Sequence, residues 1–313
     1  MRLAIMGCGG VGGYFGARLA EAGHNVTFIA RGEHLAAMKR EGLRVSSIEG
    51  DVHLTNVKAT DDPARVGAVD AVLVAVKAWQ VAEAAKAIRP MIGPDTFVVP
   101  LENGVEAAET LASVLGGAHV LDGLCGILAW REAPGHIKHA GVSPFVRFGE
   151  RDNRHSKRAE RLKAAFDQAR GVTAEIPDDI QVAVWSKFLF ICAMSGIGSV
   201  TRAPIGATRT LPETRELIVQ ILTEITAVAR ARGVTLPKDA VAHAMRFVDA
   251  LPAESTASMQ RDIMAGLPSE LEAQNGAVAR LGRETGVATP VNAMIHAALL
   301  PQERQARGEP PQA

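Results

Sequence analysis

A glycine-rich turn that directly follows a short apolar run constrains this chain more than any other feature. Residues 7–12 read Gly-Cys-Gly-Gly-Val-Gly, the G-x-G-x-x-G pattern, between the apolar run Leu3–Met6 and a helix-like stretch that ends at Gly23. In such a unit the first glycine permits a tight turn, the second admits a pyrophosphate, and the third lets the helix pack on the strand. The residues expected to bind a dinucleotide at this helix N-terminus are Gly7, Cys8, Gly9, Gly10, Val11 and Gly12.

The end of the second apolar run indicates which dinucleotide is bound. That run, Val26–Ala30, is followed by Arg31, at the place where an Asp or Glu would bind a ribose 2′-hydroxyl. Because a cation there favours a 2′-phosphate, the sequence predicts NADP(H) as the cofactor. The alternative interpretation of Arg31 is a solvated surface arginine.

Apolar runs and helix-like runs alternate through the first half of the chain, as is typical of a parallel sheet covered on both faces. The predicted strands are Leu3–Met6, Val26–Ala30, Ala71–Val76, Thr96–Leu101 and Val120–Leu124, and the predicted helices are Gly12–Ala22, His34–Glu41, Gln80–Ile88 and Val105–Leu115. The alternating segment Gly135–Glu150 favours an antiparallel edge. We therefore predict an α/β fold with an N-terminal Rossmann-type dinucleotide-binding domain at residues 1–177.

Helical periodicity replaces this alternation in the second half. Apolar residues recur at helical spacing in Thr214–Arg232, Lys238–Leu251 and Ala273–Glu284. These stretches predict an all-helical C-terminal domain at residues 178–300 for substrate and catalysis, followed by a polar, disordered tail at residues 301–313. A dehydrogenase of this layout is expected to bind its substrate in the crevice between the two domains.

The composition excludes several classes of partner. Lysine plus arginine and aspartate plus glutamate both number 34, which argues against nucleic acid or an anionic membrane as a partner. By this interpretation no apolar run approaches the ~20 residues of a membrane span, and no signal peptide is expected. The three scattered cysteines indicate neither disulfides nor zinc, and the nine histidines form no metal-spaced cluster. A cytoplasmic protein without a metal site is expected.

Four further motifs accompany the glycine turn, and two of them, the Lys-Ala-Trp-Gln run and the spacing from Ser258 to Glu270, are far more specific than it. Lys-Ala-Trp-Gln begins at Lys77, and Glu-Asn-Gly-Val places Asn103 after the next predicted strand. Trp-Ser-Lys-Phe contains Lys187, and Ser258 precedes Glu270 by twelve residues. With the glycine turn, these motifs make the chain resemble the ketopantoate reductases (2-dehydropantoate 2-reductases) from residue 3 to about residue 292.

The resemblance implies an NADPH-dependent reductase of pantothenate biosynthesis that reduces 2-dehydropantoate, a small 2-oxo acid, and is a monomer or a homodimer. It implies that Lys187 is the general acid, that Ser258 binds the substrate carboxylate, and that Asn103 borders both substrate and nicotinamide. It also implies cofactor contacts from Lys77, from the Ala129 backbone and from Glu270. Without the resemblance, Lys187 could be a snorkelling surface lysine, and Glu270 could serve only a helix N-terminus.

The substrate half departs from the family pattern. The family usually has asparagines four and eight residues after its catalytic lysine, where this chain has Ile191 and Ser195, and another near Ile205 is absent. On a helix, Ile191 and Ser195 share the Lys187 face and are expected to line the substrate pocket. These losses leave three hypotheses open: ketopantoate reduction, reduction of a more apolar 2-oxo acid, or a non-catalytic NADP(H)-binding sensor. Arg202 is an alternative ligand for the substrate carboxylate.

Overall fold

The computed structural model describes residues 1–309 and divides them into two compact units. The first unit comprises Met1–Glu102 and Glu106–Ile180, and the second comprises Asn103–Val105 together with the chain from Gln181 onward. The chain thus changes unit at residue 180 rather than at the predicted residue 177. The predicted continuous first domain is wrong at residues 103–105, because this short loop packs with the helical unit. The residues after 309, including Pro310-Pro311 of the predicted tail, lie outside the described chain.

The first unit contains ten strands and five helices. The strands are β1 Arg2–Met6, β2 Asn25–Ile29, β3 Leu43–Ser47, β4 Val52–Leu54, β5 Lys58–Thr60, β6 Ala71–Val74, β7 Phe97–Pro100, β8 Asp122–Ala133, β9 His136–Gly149 and β10 Thr173–Glu175. The helices are α1 Gly10–Glu21, α2 Gly32–Glu41, α3 Val81–Ala87, α4 Ala107–Leu115 and α5 Lys157–Asp167.

Five of these strands form a parallel sheet in the order β5-β2-β1-β6-β7. Its central strand β1 is buried on both faces: Leu3 and Ile5 belong to one apolar cluster, while Ala4 and Met6 belong to another. Side chains alternate between the faces of a strand, so this division shows that both faces are covered. The prediction of an α/β fold with a parallel sheet is confirmed.

The second sheet of this unit corrects two predictions. Val120–Leu124 is not a strand of the parallel sheet, since Val120 makes only an isolated bridge to Val98 and β8 begins at Asp122. Gly135–Glu150 is not an antiparallel edge. Strand β9 pairs antiparallel with β8 but also pairs in parallel with β3 and β10, which places it inside the sheet. Alternation marks a strand with two different faces, and it does not reveal which of its edges are paired.

The second unit is helical. Its helices are α6 Ile180–Thr201, α7 Ile205–Thr210, α8 Pro212–Ala231, α9 Ala240–Ala250, α10 Ser258–Met264, α11 Ala277–Thr285 and α12 Pro290–Ala306, with a π-helical turn at Glu272–Gly276. The first residue of α6, Ile180, belongs to the first unit, and the rest of this helix belongs to the second. The predicted helices 214–232 and 238–251 are confirmed, whereas the third begins as the π-turn before α11.

Helix α6 contradicts the expectation that no apolar run approaches the length of a membrane span. It has 22 residues, and its apolar window has a mean hydropathy of 1.6. However, 61% of that window is buried inside the protein, with Phe188, Leu189 and Cys192 in the apolar core of the helical unit. A helix that lies mostly inside a protein core needs only a small polar face, which explains why the composition of α6 mimics that of a membrane helix.

The prediction of disorder from residue 301 is wrong as far as Ala306, because α12 continues through Pro301. Glu303 is buried, and its carboxylate accepts hydrogen bonds from the backbone and hydroxyl of Ser269 and from Arg307. A proline in a helix interior costs about 3 kcal/mol, so these tertiary contacts must offset that cost. The last turn of α12 thereby fixes Ser269, the residue that precedes Glu270, through hydrogen bonds to Glu303.

Replacing Glu224 should destabilise the helical unit. Its carboxylate accepts from the amides of Val291 and Asn292 and from the Asn292 side chain, at 2.8, 3.0 and 2.7 Å, and so caps α12. Glu224→Gln should lower the free energy of unfolding by about 1–3 kcal/mol, because buried donors lose their acceptors. Urea unfolding followed by the fluorescence of buried Trp185 measures this. The control is Glu216→Gln on the same helix, where the carboxylate is exposed; equal effects of the two variants would contradict the role of Glu224.

Candidate active site

The glycine turn of the first unit is shaped by close backbone contacts. Gly7 has a φ of +96°, and a Cβ there would lie 2.7 Å from the Ala75 carbonyl oxygen. The amides of Gly7 and Cys8 both donate to the Ile29 carbonyl at 3.3 Å, which ties the turn to the end of β2. A Cβ on Gly12 would overlap the Gly7 carbonyl. Only glycine therefore fits at the first and last positions of the motif.

The two central glycines differ in what surrounds them. A Cβ on Gly10 would overlap the carbonyl of Ala129, so α1 begins directly against the backbone of β8. A Cβ on Gly9 would meet nothing within 4 Å. Gly9 is the N-cap of α1 and has no side-chain cap, and the amides of the first turn lack intrahelical acceptors. The open side of the turn therefore has the geometry and the free amides that could hold an anion.

The thiol of Cys8 takes no part in such a site. Burial raises the pKa of Cys8 to about 12, so the side chain is a neutral thiol at neutral pH. It belongs to the apolar core of the unit, as a small hydrophobic residue. Only the backbone of Cys8 lines the turn.

A cavity of about 270 Å³ opens beside the glycine turn and includes Arg31. Arg31 is the N-cap residue of α2, its side chain is 66% exposed, and its Nη2 lies 3.9 Å from Glu83 Oε1. The lining comprises Met6, Gly7, Cys8, Gly9, Ile29, Ala30, Arg31, His34, Val76, Gln80, Glu83, Ala84 and Arg131. The turn and Arg31, predicted from separate motifs, thus share one cavity.

Lys77 and Ala129 have different surroundings. Lys77 follows β6 and is half-buried, with its ammonium 5.7 Å from the centre of the Trp79 ring. The cavity lining does not include Lys77. Ala129 lies on β8, where its carbonyl packs against Gly10. The contact that the structure assigns to the Ala129 backbone is therefore with the protein's own glycine turn.

Three residues around the site in the first unit were not predicted from the sequence. Glu102 is buried and accepts from the amides of Val76 and Leu101 at 2.9 and 3.1 Å, which joins the ends of β6 and β7. His34 and Arg131 line the cavity. A signal for Glu102 was available, since it directly follows an apolar strand. No local pattern singles out Arg131, because its neighbours come from distant parts of the chain.

In the second unit, Lys187, Asn103 and Glu270 form a chain of hydrogen bonds. The ammonium of Lys187 donates to Asn103 Oδ1 at 2.9 Å, and Asn103 Nδ2 donates to Glu270 Oε2 at 3.2 Å. Lys187 is half-buried on α6, while Glu270 is only 6% exposed. These three residues are separated by up to 167 positions in the sequence. The helical unit thus brings together three of the side chains for which catalytic or binding roles were predicted.

The side chains and backbone around these hydrogen bonds fix the positions of Lys187, Asn103 and Glu270. Trp185 and Phe188 are buried and pack edge to face with ring centres 5.6 Å apart, which anchors the turn of α6 that bears Lys187. Gly104 has a φ of +111°, and a Cβ there would lie 3.1 Å from the Ala273 carbonyl, so the turn after Asn103 requires glycine. The π-turn that begins two residues after Glu270 is a feature often found at functional sites.

The other predicted substrate residues have different environments. Ser258 is the first residue of α10 and is half-buried. Ile191 is half-buried against the helical core, whereas Ile205 lies within it. Ser195 is fully buried, and its hydroxyl has no hydrogen-bond partner among residues 1–309. Arg202 is exposed and has a φ of +54°. None of these side chains makes a hydrogen bond to Lys187, Asn103 or Glu270 within residues 1–309.

The chain is similar to known proteins over most of its length. Residues 3–153 match the family model "Ketopantoate reductase PanE/ApbA", and residues 179–303 match that of its C-terminal domain. The chain is 30% identical to an uncharacterized oxidoreductase, YkpB, of Bacillus subtilis, over 96% of this chain and 98% of that protein. It is 33% identical to the 2-dehydropantoate 2-reductase of Archaeoglobus fulgidus, over 93% and 94%. The crystal structure of the Geobacter metallireducens 2-dehydropantoate 2-reductase is similar with a TM-score of 0.89 and 31% identity, covering 98% of this chain and all of that one.

The two central glycines should respond differently to alanine. Gly10→Ala should destabilise the first unit by about 1–3 kcal/mol, because the methyl group overlaps the backbone of β8. Gly9→Ala should fold normally, because the space at Gly9 is open, but should weaken dinucleotide binding. Urea unfolding and the dissociation constant for NADPH, measured for both variants, test this. Equal destabilisation by the two substitutions, or unchanged binding by Gly9→Ala, would contradict it.

Proposed function

Because this chain belongs to the ketopantoate reductase family and is therefore an oxidoreductase, we propose that it reduces 2-dehydropantoate to pantoate with NADPH. The observation that carries this proposal is the hydrogen-bonded chain Lys187–Asn103–Glu270. It presents an ammonium group at a half-buried position, as the reduction of a ketone requires. The glycine turn and its cavity support the binding of a dinucleotide, and Arg31 favours the phosphorylated form.

The residues of the first unit fit NADP(H). When bound, this cofactor supplies the hydride that the protein's own side chains cannot provide. The open backbone at Gly9 and the first amides of α1 would hold the pyrophosphate, and Arg31 would hold the 2′-phosphate. Each of these groups is a donor or a cation, which matches the negative charge of the ligand.

In the reaction, Lys187 would donate a proton to the substrate oxygen. Reduction of a ketone leaves negative charge on that oxygen, and a positioned ammonium both stabilises the charge and neutralises it. One N–H of Lys187 is used by Asn103, so two remain for the substrate. In this way Asn103 fixes the direction of the ammonium group.

Asn103 also separates Lys187 from Glu270. The amide oxygen of Asn103 accepts a hydrogen bond from the Lys187 ammonium, and the amide nitrogen donates one to the Glu270 carboxylate. Lys187 and Glu270 are therefore linked through Asn103 and not by a direct ion pair. A direct pair would stabilise the ammonium form of Lys187 and so make transfer of its proton to the substrate less favourable. The neutral amide instead leaves Lys187 free to transfer a proton, while it satisfies the nearly buried Glu270 carboxylate.

A second candidate substrate is a more apolar 2-oxo acid. Ile191 lies one helical turn after Lys187 and is half-buried, so it cannot hydrogen-bond a substrate hydroxyl. The fully buried Ser195 is two turns away from Lys187. Both positions are proposed to line the substrate pocket with Ser258 as the ligand of the carboxylate. A non-catalytic NADP(H) sensor is the remaining hypothesis, and turnover of any 2-oxo acid excludes it.

We also propose a cytoplasmic location, as a monomer or a homodimer. The three cysteines are free and buried, which suits a reducing compartment. Among residues 1–309 no group of three or more His, Cys, Asp and Glu side chains could hold a metal ion.

Removing the ammonium of Lys187 should abolish most of the turnover. Lys187→Ala should lower kcat by about 10²–10⁴-fold, the usual contribution of general acid catalysis, with little change in the dissociation constant for NADPH. Steady-state NADPH oxidation and a binding titration measure the two quantities. Lys238→Ala, which removes an exposed lysine of the same unit, is the control. If Lys187→Ala keeps wild-type turnover on the best substrate, Lys187 is not the proton donor.

The substrate hydroxyl separates the two reductase hypotheses. The compound 3,3-dimethyl-2-oxobutanoate differs from 2-dehydropantoate only by lacking this hydroxyl. If 2-dehydropantoate is the substrate, its kcat/KM should exceed that of the analogue, and Ile191→Asn should raise this ratio about 2- to 12-fold, as one new hydrogen bond of 0.5–1.5 kcal/mol would. A higher kcat/KM for the analogue would instead favour an apolar substrate.

A further inference from the structure

Arg131 lines the cavity beside the glycine turn, and no role has been assigned to it. It lies on β8, two residues after Ala129, and side chains two residues apart lie on the same face of a strand. The pairing of β8 with β9 shifts between Arg131 and Ala133, so a β-bulge follows Arg131 at once. Bulges redirect side chains, and they often occur beside functional sites.

The position of Arg131 is fixed by the glycine turn itself. The Ala129 carbonyl packs on Gly10, which holds this part of β8 against the start of α1. Opposite Arg131, Ile137 of β9 packs on Gly13, one turn further along α1. The exposed guanidinium of Arg131 is therefore carried by a backbone segment that is locked to the phosphate-binding turn.

The net charge of the cavity depends on Arg131. Arg31 is accompanied by Glu83, whose carboxylate is 3.9 Å from its guanidinium, and both side chains line the cavity. One cation and one anion sum to zero. Arg131 is the third charged residue of the lining, so the net positive charge of the cavity comes from Arg131. A dianionic phosphate would otherwise face an arginine that is already neutralised.

His34 lines the same cavity but is neutral. It is 4% exposed, and its Nδ1 accepts from the Gly135 amide at 2.9 Å, so Nε2 carries the proton. Nε2 is buried and makes no well-formed hydrogen bond within residues 1–309. Burial and the charge of Arg131 lower the pKa of His34, and an interaction of the ring with the Cys8 backbone opposes them, so the ring is neutral at neutral pH. Because Nε2 is buried and faces the Cys8 backbone, His34 adds no charge to the cavity, and the positive charge comes from the arginines.

We propose that Arg131 is the second cation of the 2′-phosphate site and determines the preference for NADPH over NADH. Arg31 completes the site, and Glu83 opposes the phosphate. The inference rests on the proposed use of NADP(H). It differs from the expectation based on the sequence, in which Arg31 alone selects the cofactor.

Binding measurements test this without turnover. Dissociation constants for NADPH and NADH are determined by titration with wild-type protein and with Arg131→Gln, which keeps a long polar side chain. NADPH affinity should fall about 10- to 100-fold, as expected for the loss of charge-assisted hydrogen bonds, while NADH affinity should change less than about 3-fold. Glu83→Gln should tighten NADPH binding. Arg40→Gln is the control, because this exposed arginine of α2 pairs with Glu41 outside the cavity.

Several outcomes would overturn the inference. Equal losses of NADPH and NADH affinity in Arg131→Gln would indicate a contact with the pyrophosphate that both dinucleotides share, or a structural role, and not a 2′-phosphate site. An effect no larger than that of Arg40→Gln would indicate general surface electrostatics. Equal binding of NADPH and NADH by the wild-type protein would remove the preference itself. A protein that binds NADPH selectively through Arg131 but reduces no 2-oxo acid would support the inference, although the proposed function would then have failed.

Discussion

The close approach of the first turn of α1 to its neighbouring strands is the constraint on which the nucleotide-binding unit depends. Gly7 lies against the backbone after β6, Gly10 against β8, and Gly12 against the Gly7 carbonyl. Any side chain at these points would meet backbone atoms, which cannot move aside as a side chain can. This short turn thereby contacts the ends of β2 and β6 and the backbone of β8, and so fixes the positions of these three strands. Its open side, at Gly9, has room for an anion.

The helical unit depends on a different kind of constraint, a set of buried polar groups that must find partners. Glu270 is nearly buried, and the Asn103 amide satisfies one oxygen of its carboxylate. Ser269, next to it, is held by Glu303 from the last helix. Polar groups in such positions are costly when they lack partners, so each specifies one arrangement of the chain around it. The result is that Lys187 presents its ammonium in a defined direction.

Substrate choice and cofactor choice have different physical bases in this protein. In our proposals, cofactor choice is a matter of charge in one cavity, which Arg31, Glu83 and Arg131 line and where Glu83 lies 3.9 Å from Arg31. The proposed substrate choice depends instead on the hydrogen bonds that Ile191 cannot make and on whether the buried Ser195 replaces any of them. A pocket that lacks hydrogen-bonding groups discriminates only weakly against a hydroxyl, whereas one that contains them discriminates strongly against its absence.

The sequence by itself determined the features that depend on neighbouring residues. The glycine turn, the apolar strands of the parallel sheet and the amphipathic helices 214–232 and 238–251 are all local patterns, and the motifs around Lys77, Lys187 and Glu270 identified the family. The tertiary structure alone decided what depends on distant contacts. It placed β9 inside a sheet, assigned Asn103 to the helical unit, extended α12 beyond Pro301 and brought Arg131 into the cavity of Arg31. The physical reason is that the spacing of apolar residues indicates which side of a helix or strand is buried. It does not indicate which other helix or strand packs there, because that depends on contacts between segments far apart in the chain.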